Sequence, residues 1–404
     1  MTLRKRSCRV PLCVPYWNDA TYRAILRCLF SGCVVDGPDR EALGSLVTDR
    51  IGISDAVLCG SGKLALEIAL RACNVKKNDE VVIPTFCCTS VMLPILAVGA
   101  RPVLADIGED LNLTANTVEP VLTEKTKAII VPHLFGNPAD IDAIVKLASP
   151  RGIRVIDDAA QAFGATVGDQ PVGSFGDAGI FSFGDEKVCF GLGGGVAVSR
   201  KKGFFDLGPA IVLAPSRASR AMRGLWSTLV WRRWRRWTLP LEAAFSRVNG
   251  AGPHRPPAPY RIEAMANLSA AVAVSLAENL EQNLDARRAR VKAYRELLAT
   301  EERVELIPHR RGSACLTQVL RIPPRRSGDD PSTKLVDRLG AAGYEVQGSY
   351  VPIHLLNDYQ QWVTKLLPYA ERVWDQLIEL PCEPEVSFVH VERIAGIVKQ
   401  AAKM

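Results

Sequence analysis

The 404-residue chain contains no apolar run long enough to form a spanning helix, which takes about eighteen residues or more. No apolar stretch follows the basic start Arg4-Lys5-Arg6, so a secretory signal is not expected. Its 11 cysteines include no C-x-x-C pair, and their scatter fits a reducing cytoplasm better than a disulfide framework or a zinc site. The adjacent Cys87 and Cys88 read by default as small hydrophobes pointing to opposite faces of a strand. The net charge of +7 comes without a recognisable nucleic-acid module, so no nucleic-acid partner is expected. Acidic residues are nearly missing between Lys201 and Arg255, where only Asp206 and Glu242 occur. Internal repeats are absent, and compositional bias is confined to that Arg/Trp-rich stretch.

What remains is an ordinary soluble composition, 48% hydrophobic and 23% charged, with room for one large domain and a smaller one. Val/Ile/Leu-rich runs of strand length occur at 55–59, 81–86, 101–106, 127–133, 153–158, 178–183 and 194–199. Near-continuous apolar runs suit strands covered on both faces. Helical patterns near 62–74, 89–98, 115–123 and 139–149 fill the gaps, and this alternation predicts a largely parallel α/β layer. The expected organisation is an N-terminal segment (1–40), a large α/β domain (41–200), a basic insertion (201–258) and a small C-terminal α+β domain (259–404). One long helix is expected from about Glu263 to Leu298.

Three clusters carry chemistry. Lys187 follows the apolar run Phe181-Ser182-Phe183 and precedes Gly193-Gly194-Gly195. A lone loop lysine is ordinarily a solvated charge, but one at a strand end beside a glycine turn can hold a cofactor aldehyde and move protons. Asp157-Asp158 close the strand at 153–158, and successive strand residues point to opposite faces, so one of the two is expected to face a ligand. A carboxylate there can keep a pyridine nitrogen protonated; the plainer alternative is a helix cap. Gln161 lies on the same side and can reach a ring hydroxyl oxygen. Gly60-Ser61-Gly62-Lys63 joins a strand to a helix, an arrangement that binds phosphate. A nucleotide P-loop is excluded, because Val57 and Leu64 stand where its glycine and its Ser/Thr are needed. Ser182 can add a hydroxyl to the same phosphate.

With DDAAQAFGA (157–165) in register with GSFGDAGIFSFGDEK (173–187), the chain resembles the DegT/DnrJ/EryC1/StrS family of pyridoxal phosphate (PLP)-dependent nucleotide-sugar aminotransferases. SGKLALEIAL (61–70), DEVVIPTF (79–86), GARPVLADI (99–107), HLFGNPADID (133–142), MANLSAAVAVSLAENL (265–280) and VPIHLL (351–356) extend the resemblance over nearly the whole chain. It implies the fold-type-I architecture, a mainly parallel seven-stranded sheet with a small C-terminal α+β domain. It implies Lys187 as the lysine bonded to PLP, Asp158 at the ring nitrogen, Gln161 at the ring hydroxyl, and Gly62, Lys63 and Ser182 at the phosphate. It also implies a homodimer that uses an amino acid, typically L-glutamate, to aminate a keto sugar. Four departures stand out: Lys63 replaces the usual threonine, Cys88 occupies the ring-stacking position with Phe86 two residues away, Ile262–Ala264 replace an N-Y-R stretch, and Gly193 replaces an acid. A sugar dehydratase is the alternative within this chemistry, but relatives of that type carry histidine where Lys187 stands. A turnover-impaired, membrane-associated binding protein is the alternative outside it.

Trp226, Val230, Trp234, Trp237 and Leu241 recur at helical spacing, interleaved with Arg232, Arg233, Arg235 and Arg236. The segment 219–241 is therefore expected to be an amphipathic helix, packed on the protein or in weak contact with a membrane surface.

Overall fold

The computed structural model describes residues 10–206, 211–232, 259–326, 328–362 and 365–403. Seven strands form the main sheet: β1 (Asp55–Cys59), β2 (Glu80–Pro84), β3 (Arg101–Ala105), β4 (Thr126–Pro132), β5 (Arg154–Asp158), β8 (Ala178–Ser182) and β9 (Gly195–Ser199). A hairpin of β6 (Thr166–Val167) and β7 (Gln170–Pro171) lies between β5 and β8. The sheet order is β1-β9-β8-β5-β4-β2-β3. From β8 to β3 all neighbours are parallel, whereas β9 runs antiparallel to both β8 and β1.

Alternate side chains of the parallel strands enter different cores. Val81, Ile83, Leu104, Ile130 and Ile156 share one, while Val82, Val103, Ile129, Val131 and Val155 share another. Burial on both faces is why these strands read as unbroken apolar runs. Helices α1 (Asp19–Phe30), α2 (Asp39–Ile51), α3 (Gly62–Ala72), α4 (Met92–Ala97), α5 (Ala115–Val118) and α6 (Ile141–Ala148) provide the cover. A second, antiparallel sheet follows, of β10 (Glu305–Leu306), β11 (Thr317–Arg321), β12 (Gln347–Gly348) and β13 (Leu377–Pro381) in the order β10-β11-β13-β12. Its core joins Leu320, Ile378 and Leu380 to Tyr294, Leu339 and Ile394 of the surrounding helices.

The expected single helix from Glu263 to Leu298 is two, Asn267–Glu278 and Leu280–Leu298. Asn279 breaks it (φ −101°, ψ 17°), its side chain donating to the Ser275 carbonyl at 2.9 Å. Glu263 and Ala264 do not start the helix because they extend the sheet edge: Gly60 N–H donates to the Glu263 carbonyl at 2.8 Å, and Ala264 bridges Cys59. Asn267–Glu278 is buried among Phe181, Phe183, Val196 and Val198, so it packs as part of the large-sheet core.

In the basic stretch, α7 (Ala218–Ser227) continues into a wider turn over Thr228–Arg232. Ala221 and Leu225 are buried, while Trp226 is 68% exposed. Trp234, Trp237, Leu241, Arg233, Arg235 and Arg236 lie outside the described residues. Among the described residues no helix is long and apolar enough to cross a membrane.

Candidate active site

A cavity of about 490 Å³ opens at the carboxyl ends of β1, β5 and β8 and is closed on its far side by the small sheet. Ligands of open α/β sheets bind at this end because the strand-to-helix turns converge there.

The β1–α3 turn supplies its floor. Ser61 caps α3, its hydroxyl accepting from Leu64 N–H at 3.2 Å, which leaves the positive end of the helix directed at the cavity. A side chain at Gly62 would bring a Cβ to 2.9 Å from Ser182 Cβ, so glycine lets the helix start close against the end of β8. Gly193 (φ +91°) and Gly194 (φ +111°) turn the chain into β9 in the left-handed region that favours glycine. A Cβ on Gly195 would fall 2.4 Å from the Ser61 carbonyl, which ties the glycine run to the same turn. Lys63 reaches the cavity beside Cys88; burial lowers its pKa, and the Cys88 thiol opposes that shift.

The end of β5 separates its two aspartates as strand alternation requires. Asp157 is fully buried away from the cavity, accepting from Gly173 N–H at 2.6 Å and Phe175 N–H at 3.0 Å and pairing with His133 Nε2 at 2.7 Å. His133 Nδ1 accepts from Ala139 N–H at 2.9 Å, which leaves the ring proton on Nε2 for Asp157. Asp158 lines the cavity and takes Ala160 N–H at 3.0 Å. Burial raises its pKa, against the pull of the Ala160 N–H, Lys187 and His133. Gln161 is fixed at both ends: its Oε1 accepts from Phe135 N–H at 2.8 Å, and its Nε2 donates to the Tyr350 hydroxyl at 2.8 Å. Ser182 and Lys187 enter from β8 and the loop beyond it.

Seven of the eight residues singled out in the sequence, Gly62, Lys63, Cys88, Asp158, Gln161, Ser182 and Lys187, thus line one cavity. Phe86 is fully buried behind it, edge-on to Tyr350 with ring centroids 5.8 Å apart. The residues of the opposite wall were not singled out in the sequence. Thr317, Gln347, Tyr350 and Glu379 come from β11, β12, the segment after it and β13. Tyr350 stands directly before the VPIHLL segment, a signal that could have found it; the other three belong to no motif.

The residues fit PLP. The floor offers a helix terminus, a hydroxyl and an ammonium to a phosphate, Gly62 leaves the space a Cβ would fill, and an amine and a carboxyl enter the same cavity from adjacent strands.

The model of the DegT/DnrJ/EryC1/StrS aminotransferase family matches residues 16–203 and 260–399. The chain is 37% identical over 209 residues to the UDP-N-acetyl-3-dehydro-alpha-D-glucosamine 3-aminotransferase of Acidithiobacillus ferrooxidans, over 52% of this chain and 53% of that protein, about half of each. It is 28% identical over 359 residues to the GDP-perosamine synthase of Caulobacter vibrioides, over 87% of both chains. The aminotransferase TlmJ of Streptoalloteichus hindustanus superposes with a TM-score of 0.76 at 25% identity, over 97% of this chain and 98% of that one. The two sheets are accordingly those of fold-type-I transferases. Sequence, topology and the converging strand ends agree: the chain belongs to the DegT/DnrJ/EryC1/StrS aminotransferase family.

Proposed function

We propose that this protein is a PLP-dependent aminotransferase that moves an amino group from an amino acid, L-glutamate in our reading, to the keto group of a nucleotide-linked sugar. The observation that carries this is the convergence of Lys187, Asp158 and the Gly62 turn on one cavity. PLP bound there supplies an electron sink for the carbon that loses its proton. Lys187 holds the cofactor and carries a proton on and off at Nζ. Asp158 keeps the ring nitrogen protonated; burial and the charge of Lys187 act on it in opposite directions. Gln161, its amide fixed by Phe135 and Tyr350, presents its remaining N–H to the ring oxygen. Ser182, Lys63 and the N–H groups opening α3 take the phosphate. Cys88 and the buried Phe86 contribute to the side of the ring where the family places an aromatic.

In this reading the protein acts in the cytoplasm as a homodimer. The family membership supports the dimer, and the scattered free thiols support the compartment. Weak peripheral contact through 219–241 is the reading favoured by Trp226 and Met222 standing exposed on α7. Borohydride reduction of the PLP-loaded protein followed by peptide mapping tests the core of the proposal. Label on Lys187, together with loss of the cofactor absorbance on adding an amino donor, supports it; label on another lysine, or an absorbance that no donor changes, overturns it.

A further inference from the structure

The small-domain wall carries a carboxyl that the cofactor chemistry above does not use. Glu379 sits in β13, between β11 and β12, and is 6% exposed. It lines both the 490 Å³ cavity and an outer groove of about 1170 Å³, so it stands where the two meet. Its partners are neutral and distant: Thr317 Oγ1 donates at 3.3 Å and Gln347 Nε2 at 3.4 Å. The Ser349 hydroxyl beside it is buried, adds a weak contact to the same carboxyl, and has no partner of good hydrogen-bond geometry. The strongest charge acting on Glu379 is the like charge of Glu186.

A buried carboxyl held this loosely leaves hydrogen-bonding capacity unused, and burial without full partners is costly unless a ligand completes them. Burial and Glu186 push its pKa up to about 7, which disfavours a permanent anion waiting for a cation. A carboxyl poised near neutrality both accepts and donates, and so does a hydroxyl. The chemistry that matches is a polyhydroxylated ring entering through the groove.

We propose that the Glu379 carboxyl and the Ser349 hydroxyl form the subsite for the acceptor's sugar ring, taking neighbouring hydroxyls of a hexose. The inference rests on the sugar-aminotransferase reading only in naming that ring as the acceptor. Thr317 and Gln347, which line the same cavity, position the carboxyl.

Equilibrium binding to the PLP-loaded protein tests it with two probe pairs that cannot turn over, UDP-N-acetylglucosamine against UDP and GDP-mannose against GDP. The readout is the margin by which the hexosyl nucleotide binds more tightly than the bare one. A margin in at least one pair is expected for the wild type. Glu379→Ala should cut it by about tenfold while bare-nucleotide binding is retained, and Ser349→Ala should cut it less. Glu379→Met, which fills the same space without either oxygen, gives the same reading if the alanine variant does not take up cofactor. An unchanged margin in a variant that binds cofactor, or no margin in the wild type for either pair, overturns the proposal. Failure of the aminotransferase reading is separable, because wild type would then show the margin while no amino donor changes the cofactor absorbance.

Discussion

The wall that the large sheet contributes carries the groups assigned to the phosphate, the ring polar atoms and the aldehyde in three short stretches, 61–63, 158–161 and 182–187, each at the carboxyl end of a strand. The opposite wall draws Thr317, the neighbours Gln347 and Tyr350, and Glu379 from separate parts of an antiparallel sheet, each part tens of residues from the next. The first wall offers charge and a helix terminus, which suit a phosphate, a pyridine nitrogen and an aldehyde. The second offers hydroxyls, an amide and a loosely held carboxyl, which suit a neutral polar ring. Parallel strands send all their turns to one end, so a compact motif can hold a whole chemical function there. An antiparallel strand places one side chain in two on a given face, so its site residues come singly.

Removing the first wall's amine should have the largest effect. Lys187→Ala is expected to lower turnover by about 10⁴-fold or more, with loss of the borohydride-fixed label and an unchanged unfolding midpoint. Measurable turnover near wild type would mean that the two walls do not divide the work as described.

The adjacent aspartates sharpen the comparison within a single strand end. Asp158→Asn should lower turnover by about 10²-fold or more with little change in stability, because its carboxyl faces the cavity and, among the described residues, accepts only Ala160 N–H. Asp157→Asn should do the reverse. Its carboxylate satisfies His133, Gly173 and Phe175 in the buried interior, and an amide would turn a donor toward donors, a loss of about 3 kcal/mol in denaturant unfolding. Equal loss of turnover from both variants at equal stability would remove the distinction.

The same contrast explains what the sequence discloses. All seven sheet strands were legible within about two residues because burial on both faces writes an unbroken apolar run. The antiparallel placement of β9 was not, since direction leaves no mark on composition. The helices α1 and α2 were not read from the sequence; in α2 the buried Leu43, Val47 and Ile51 stand in an otherwise largely polar helix. The break at Asn279 was hidden because a helix buried nearly all round and the exposed-faced helix after it share one continuous helical pattern. Asp158, Gln161 and Lys187 could be singled out as cavity residues because their motif preserves spacing along the chain. Glu379 was missed because only tertiary placement makes a glutamate in β13 a cavity residue.

Glu379 also marks the second wall by its titration. Burial, with Glu186 adding to it, raises its pKa from an ordinary 4.5 to about 7. The folded protein therefore holds this proton more tightly than the unfolded chain. The resulting stabilisation is complete below the unfolded value and is lost as pH rises through about 7. Burial pushes Glu383, paired with Arg287, up to about 7 as well, so it adds to the fall over the same window. Glu379→Gln should make the fall in stability between about pH 5 and 8 shallower, by up to about 3 kcal/mol. Denaturant unfolding at the two pH values checks it; an unchanged difference would mean that Glu379 keeps an ordinary pKa and that the second wall is an anion.

Tyr350→Phe tests a side-chain hydrogen bond that joins the walls, and its effect should be the smallest. The Tyr350 hydroxyl accepts from Gln161 Nε2 at 2.8 Å, and burial keeps the phenol protonated, so its own O–H is left to donate. Without the oxygen, one Gln161 N–H loses its partner, a loss of about 1 kcal/mol. The amide should not flip, because Phe135 N–H still donates to its Oε1 at 2.8 Å, and a flipped amide would set donor against donor there. Phe135 is itself held at φ +59° and stacks on the Tyr350 ring at 5.8 Å, a contact the phenylalanine keeps. Stability should therefore fall by no more than about 1 kcal/mol, while PLP affinity weakens by about fivefold and the cofactor absorbance shifts as Gln161 loosens against the ring oxygen. A loss of turnover as large as that of Asp158→Asn would show that Tyr350 belongs to the cofactor chemistry, and the boundary between the walls would then have to be drawn on the other side of it.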